Sequence, residues 1–304
     1  QTTETIEGVE VEVPECTFNV DEAYGGGKSA PMDGEARLEM ECIPGLKVAY
    51  GGAQNADISN SVTLNITNGT FERVFGGNNE GGRIMGSITV NIEETGCQPI
   101  IIGELYGGGN QAAYSVWGYK EVTVGEDDNG TTVWDIRQSN DDGPAVSGTP
   151  YADPQVNVKS FSSIGSIFGG AYGEQAVMVG NPQVNINEIL GLHNDKVVGN
   201  ESKVIGTKVI AKGAEGYNAE GFIVPEHTAG TIGTIGTVFG GGNAADVIGN
   251  TFVNIGTAEK VSYVTGTDHE SQNVQGANIT GNVYGGGNKA KTTGNTNVTI
   301  GKQQ

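Results

Sequence analysis

The chain has 304 residues, among them 51 Gly, 9 Pro and 3 Cys, and its 36 acidic against 16 basic side chains give a formal net charge of −20. Gly does not fall at every third position, no run reaches 18 apolar residues, and three Cys are too few for a disulfide scaffold, so collagen, a transmembrane helix and a cystine-rich fold are excluded. So acidic a chain lacks the basic footprint that phosphate backbones require, so neither nucleic acid nor an anionic membrane is an expected partner.

Gln1 opens a segment without the basic and apolar regions of a signal peptide. Val9-Glu10-Val11-Glu12-Val13 then alternates as a strand does. It is expected to begin a stack of strands, its charges discouraging further pairing. From there one motif dominates: a small or branched apolar residue, an aromatic ring, then Gly-Gly. The rings are Tyr24, Tyr50, Phe75, Tyr106, Phe168, Phe239 and Tyr284, at successive separations of 26, 25, 31, 62, 71 and 45 residues. The short separations define a base period near 25 residues; the long ones require insertions.

A second motif, apolar–polar–apolar, follows the rings. Its copies are Leu38-Glu39-Met40, Leu64-Asn65-Ile66, Val90-Asn91-Ile92, Val184-Asn185-Ile186, Val253-Asn254-Ile255 and Val298-Thr299-Ile300. Each begins 14, 14, 15, 16, 14 and 14 residues after its ring. Such constancy marks a structural repeat, and the alternation marks strands with one buried face. A third segment, as in Ile164-Gly165-Ser166-Ile167 and Ile235-Gly236-Thr237-Val238, leads into the next ring. No long face of period 3.6 appears, and so many Gly disfavour helices at about 1 kcal/mol each. The predicted fold class is therefore all-β: one single-stranded parallel β-helix (β-solenoid) over 1–304, each layer shielding the next about 4.8 Å away.

The Gly-Gly pairs are expected at tight corners, where φ > 0 suits only Gly. Asn110, Asn243 and Asn288 follow three Gly and Asn78 follows two. These Asn are expected to form a ladder, since stacked amides hydrogen-bond between layers. A phosphate-binding loop is excluded: there is no G-x-x-x-x-G-K-[ST] pattern.

Insertions are expected at about 115–151, 191–231 and 257–277. In the first, Lys120–Val124 and Thr131–Ile136 flank Asn129-Gly130, a hairpin signal. Two segments compete for the fourth layer's own strand, Val122-Thr123-Val124 and Gln155-Val156-Asn157-Val158; a protruding hairpin favours the latter. Both Trp of the chain, Trp117 and Trp134, lie here with Tyr114, Tyr119 and Tyr151, beside Glu126, Asp127, Asp128, Asp141 and Asp142. Aromatic rings with nearby carboxylates suit sugar rings, so Trp117, Tyr119, Trp134 and Tyr151 are the candidate binding residues. The plainer reading makes the Trp pair the hairpin's own small core. Calcium is disfavoured by the lack of a D-x-[DN]-x-[DN]-G loop, and no metal or cofactor is expected.

The ring column is open to two readings: an exposed platform for an extended glycan, or a packed stabilising ladder. His193, His227 and His269 sit in insertions without metal-ligand spacing, and no catalytic residue is assigned. Cys16 and Cys42 lie one period apart, either bridged or buried as free thiols, which leaves Cys97 alone.

The repeated Val/Ile-Tyr/Phe-Gly-Gly-Gly-Asn with a following Thr-x-Val-Asn-Ile resembles the Gly-rich repeats of β-helix proteins secreted by gut Bacteroidetes. It is also similar to right-handed parallel β-helix passenger and adhesin domains. The resemblance covers about 20–115, 152–190 and 232–301, and carries no catalytic residues. It implies an exported, extracellular or cell-surface protein, serving adhesion or glycan binding to a host or bacterial surface component. The alternative by fold analogy is a polysaccharide lyase or glycoside hydrolase, which needs paired carboxylates across a groove. Val298-Thr299-Ile300 is a full repeat strand with no polar cap after it, so end-to-end self-association, or further protein beyond it, is expected.

Overall fold

The computed structural model describes residues 20–40, 46–94, 100–115, 153–189, 232–262 and 271–302 in full, with the backbone of strands within 2–13, 119–136, 196–224 and 263–270. Among the described residues there are strands and no α-helix, and no helix is long and apolar enough to cross a membrane. Parallel strands form stacked sheets, and the chain visits them in the same order in seven successive layers.

The first sheet carries the rings. Its strands are Glu22–Tyr24, Val48–Tyr50, Gly69–Phe75, Ile100–Tyr106, Ser163–Phe168 and Thr234–Phe239, completed by Asn278–Ile279 and Val283–Tyr284 in the last layer. All are parallel and in register, each ring paired with the next. The second sheet joins Ala36–Met40, Val62–Ile66, Ile88–Glu93, Gln155–Ser160, Gln183–Ile186, Thr251–Ile255 and Thr296–Ile300. Between them runs a narrow third sheet: Tyr114–Ser115, Met178–Val179 and Val247–Ile248. Parallel bridges Met32–Ile58, Ile58–Ile84 and Val247–Thr292 continue that line into other layers.

Period-two alternation explains the core. In Val62–Ile66, Val62, Leu64 and Ile66 are buried while Thr63 and Asn65 face outward. The same positions recur as Ile88, Val90 and Ile92, then Val156 and Val158, then Val184 and Ile186. One layer's side chains therefore lie on the next layer's, each Val or Ile contributing about 1.5–3 kcal/mol by leaving water.

The motif glycines are needed for a different reason from the one expected. Positive φ occurs at Gly69, Gly82, Gly180, Gly249, Gly256, Gly276 and Gly301, none of them in a ring-Gly-Gly motif. Instead, the first motif Gly approaches the adjacent layer too closely for a side chain. A Cβ on Gly107 would lie 2.4 Å from the carbonyl oxygen of Gly169, and on Gly169 2.4 Å from that of Gly240.

Other expectations are resolved by pairing. Val9–Val13 pairs antiparallel with Thr2–Ile6 in a separate two-stranded sheet, so it does not begin the parallel stack. Gln155–Ser160 is the fourth layer's strand, whereas Tyr119–Val124 pairs antiparallel with Thr131–Ile136. The strands of the later insertions are antiparallel too: Lys203–Ile205 with Lys208–Ile210, and Lys260–Thr265 with Asp268–Asn273. Tyr114 is not an insertion residue. It is buried in the third sheet, paired with Met178, and its hydroxyl donates to the Gly86 carbonyl at 2.8 Å.

Candidate functional site

The hairpin leaves the fourth layer between Tyr114–Ser115 and Gln155–Ser160. Its register sets Tyr119 opposite Ile136 and Trp134 opposite Glu121. The side chains of Tyr119 and Trp134, and the whole of Trp117 and Tyr151, lie outside the described residues. So do Cys16, Cys42 and Cys97, the acidic residues 126–128, 141 and 142, and the side chains of the three His.

The ring column is fully described. Tyr24, Tyr50, Phe75, Tyr106, Phe168, Phe239 and Tyr284 stack face to face, with successive centroids 4.7, 5.0, 5.0, 4.8, 4.8 and 5.0 Å apart and planes within 13° of parallel. Neighbouring apolar residues such as Val74 and Leu105 enter the main core, while the rings form a second apolar cluster. Tyr50, Phe75, Tyr106 and Phe168 are buried, so the middle of the column offers no platform to a ligand. Only Tyr284, the last ring, is substantially exposed.

Polar groups line the column's hydroxyls. The Tyr24 hydroxyl donates to Glu22 at 2.7 Å and accepts from Asn79 at 2.7 Å. The Asn243 amide donates to the Tyr106 hydroxyl at 3.2 Å. Burial, joined by the Glu22 carboxylate, pushes the Tyr50 phenol up to about 12, and burial likewise raises Tyr24 and Tyr106. These phenols remain neutral hydrogen-bonding groups at physiological pH.

Asn110 and Asn288 donate down the stack, to Asn79 at 2.8 Å and to Asn243 at 2.9 Å. The rung below Asn110 is Asn79, not Asn78. Asn78 takes the place of the third Gly, where it is buried, accepts from the Ala53 N–H and donates to the Ala56 and Gly81 carbonyls. In the fifth layer Tyr172 takes the Asn place, donating its N–H to the Gly109 carbonyl, and sets its ring edge-on against Phe75 and Tyr106. Arg73 covers that ring at 5.0 Å and pairs with Glu104 at 3.0 Å.

A longer ladder runs along the second sheet. Asn254 donates to Asn185, Asn185 to Asn157, Asn157 to Asn91 and Asn91 to Asn65, at 2.8–3.0 Å. Asn65 closes it on the Glu39 carboxylate at 2.9 Å. This half-buried amide row is a regular polar ridge, in which Asn185, Asn157, Asn91 and Asn65 are each both donor and acceptor.

Two buried carboxylates were not legible as such. Glu94 and Glu188 each stand two residues after a core Ile, Ile92 and Ile186, at the turn from the second sheet back to the first. Glu94 accepts from the Ile100 N–H at 2.8 Å and from the Ser162 hydroxyl at 3.2 Å. Glu188 is 1% exposed and neither carboxylate oxygen makes a hydrogen bond of ordinary geometry, although the Asn278 and Gly233 N–H groups lie close enough to favour its charge. Burial prevails and pushes its pKa up to about 8. A carboxyl so enclosed cannot reach a substrate. Among the described residues no group of three or more His, Cys, Asp or Glu could hold a metal ion.

No family model, curated protein or solved structure matches the chain. The described residues thus provide an ordered stack with amide and ring ladders.

Proposed function

We infer that the chain winds as a parallel β-helix, right-handed like the passenger and adhesin domains it resembles, and acts without catalysis as an exported or cell-surface display scaffold. It holds insertion loops for adhesion or glycan binding, with Trp117, Tyr119, Trp134 and Tyr151 as the contact residues. One observation carries this reading: the fourth layer keeps its register in the ring sheet and, from Gln155 to Val158, in the second sheet, shifting by one residue only at Ser160, although the chain leaves the layer between Ser115 and Gln155 to form the antiparallel hairpin. A rigid stack that keeps register around a Trp-bearing excursion suits presentation of that excursion, since binding residues concentrate on loops set by a firm scaffold. The burial of the ring column directs glycan contact away from the column.

A glycan array tests the reading. The expected result is binding to a restricted set of glycans, lost in Trp117→Ala or Trp134→Ala without loss of the β-sheet circular dichroism spectrum. Binding unchanged in both variants, or no binding, overturns it. Cleavage of an acidic polysaccharide by the purified protein would replace it with the lyase or hydrolase alternative.

A further inference from the structure

The third insertion is tied to the stack at its root. It leaves the sixth layer at Gly256 and returns at Gly276, and both glycines adopt positive φ, 62° and 128°. They lie side by side: a Cβ on Gly256 would sit 3.5 Å from the Gly276 Cα. Between them Lys260–Thr265 and Asp268–Asn273 form the antiparallel hairpin. Adjacent glycines in the left-handed region, one at the departure and one at the return, make a backbone hinge.

From that hinge the hairpin folds back over earlier layers. The Ala258 N–H donates to the Asn187 side-chain oxygen at 3.0 Å, and the Val274 N–H closes the root on the Glu259 carbonyl at 3.0 Å. Glu188 pairs antiparallel with Gly276. The Gln275 N–H donates to the Glu188 carbonyl at 2.8 Å, and the Glu188 N–H to the Gly276 carbonyl at 3.1 Å. One layer further back, the Lys159 ammonium donates to the Ser262 carbonyl at 2.6 Å while bound to Glu93 at 2.7 Å.

Glu188 is thus clamped between the hinge and the stack. It is 1% exposed, and neither carboxylate oxygen makes a hydrogen bond of ordinary geometry. The Asn278 N–H beside it belongs to the return end of the hairpin. Such a carboxyl is stable neutral and enclosed, or ionised and hydrated, but not ionised and enclosed. Hydration requires a neighbour to move. The layers are held by continuous parallel ladders, the hairpin root only by the bonds just described. Among the described residues, the charged groups on the surrounding elements are Lys159 with Glu93, Glu94 at the same offset two layers earlier, and Glu259 and Lys260 at the hairpin root. Asp268, His269 and Glu270 stand at its far end. Burial, and none of these charges, raises the Glu188 pKa.

We propose that the hairpin rooted at 257–262 and 271–277 is a strap locked against the stack by the neutral Glu188 carboxyl, and that ionisation of this group loosens the strap about Gly256 and Gly276 while the layers stay in place. The seated strap covers Asn187 and the Lys159 ammonium; the loosened strap gives both to solvent. The proposal stands whether or not the insertions bind a glycan.

Hydrogen exchange of the full chain from about pH 5 to about pH 8, corrected for the free-peptide rate, tests this. The amides of Ala258, Glu188, Val274 and Gln275 are expected to be at least about a hundredfold less protected than those of core strands such as Val62–Ile66, because they open by strap motion alone. Their protection falls about tenfold per pH unit, since each opening releases one proton. In Glu188→Gln it stays level across the range. Asn187→Ala, which removes one tether and leaves the carboxyl, lowers it about fivefold at every pH and keeps the slope. Protection equal to that of the core strands overturns the proposal, because the strap would then open only with the whole stack. So does protection that ignores pH or is unaltered in Asn187→Ala. A slope that survives in Glu188→Gln also overturns it, and would assign the titration to another group such as His269.

Discussion

Glu188 makes stability depend on pH in a direction opposite to that of an ion-paired carboxylate. Folded, it keeps its proton to about pH 8; unfolded, it releases it near ~4.3. Between those values the folded state binds more protons, so stability falls as pH rises through the window and levels off above it. At about 1.36 kcal/mol per decade, the ionised form costs on the order of 5 kcal/mol at pH 9 and about 1 kcal/mol at pH 5. Glu188→Gln keeps the shape and removes the charge. By the usual entropy of unfolding for a chain of this size, the variant melts roughly 5–8 °C above the unaltered protein at pH 9, and within about 2 °C of it at pH 5. Thermal melts by circular dichroism at both pH values measure the gap. The general effect of the −20 net charge is shared closely by both proteins and largely cancels in the comparison. A gap that is the same at both pH values, or larger at pH 5, would refute a buried neutral carboxyl at this position.

Two other substitutions probe the stack. Gly107→Ala sets a methyl group against the Gly169 carbonyl, while Gly34→Ala meets nothing within 4 Å; the first is expected to cost about 2–4 kcal/mol and the second less than about 0.5 kcal/mol in urea unfolding. Equal effects would show that the corner yields readily. Asn91→Ala breaks the rungs to Asn65 and Asn157, at about 1–2 kcal/mol, and an unchanged melting temperature would mean that water replaces them.

Both principal sheets were legible because their signals repeat. Seven rings and a nearly fixed interval to the next apolar pair determine register without reference to what lies between. The places where one residue stands in for another were not legible. Tyr172 occupies an Asn position, and Asn78 a Gly position, and only alignment of Gly169-Gly170-Ala171-Tyr172 and of Gly76-Gly77-Asn78-Asn79 with Gly107-Gly108-Gly109-Asn110 reveals them. Glu188 sits in a polar-looking stretch, and its burial shows only through its shared offset with Glu94 from a core Ile. The reason for the corner glycines depends on spacing between layers, a distance that composition does not carry. Val9–Val13 alternates as well as any stacked strand, yet the neighbouring segment Thr2–Ile6 pairs with it antiparallel and claims it locally.

The unequal intervals between rings have an energetic meaning for the history of the chain. Closing a loop grows costlier only with the logarithm of its length, so the 71-residue interval before Phe239 exceeds the 25-residue interval before Phe75 by about 0.9 kcal/mol of closure entropy. That is less than the gain from seating one further Val in its column. Duplication, grafting or loss of whole excursions is thus nearly neutral for the architecture, and the sequence between layers is free to diversify while the layers themselves stay fixed.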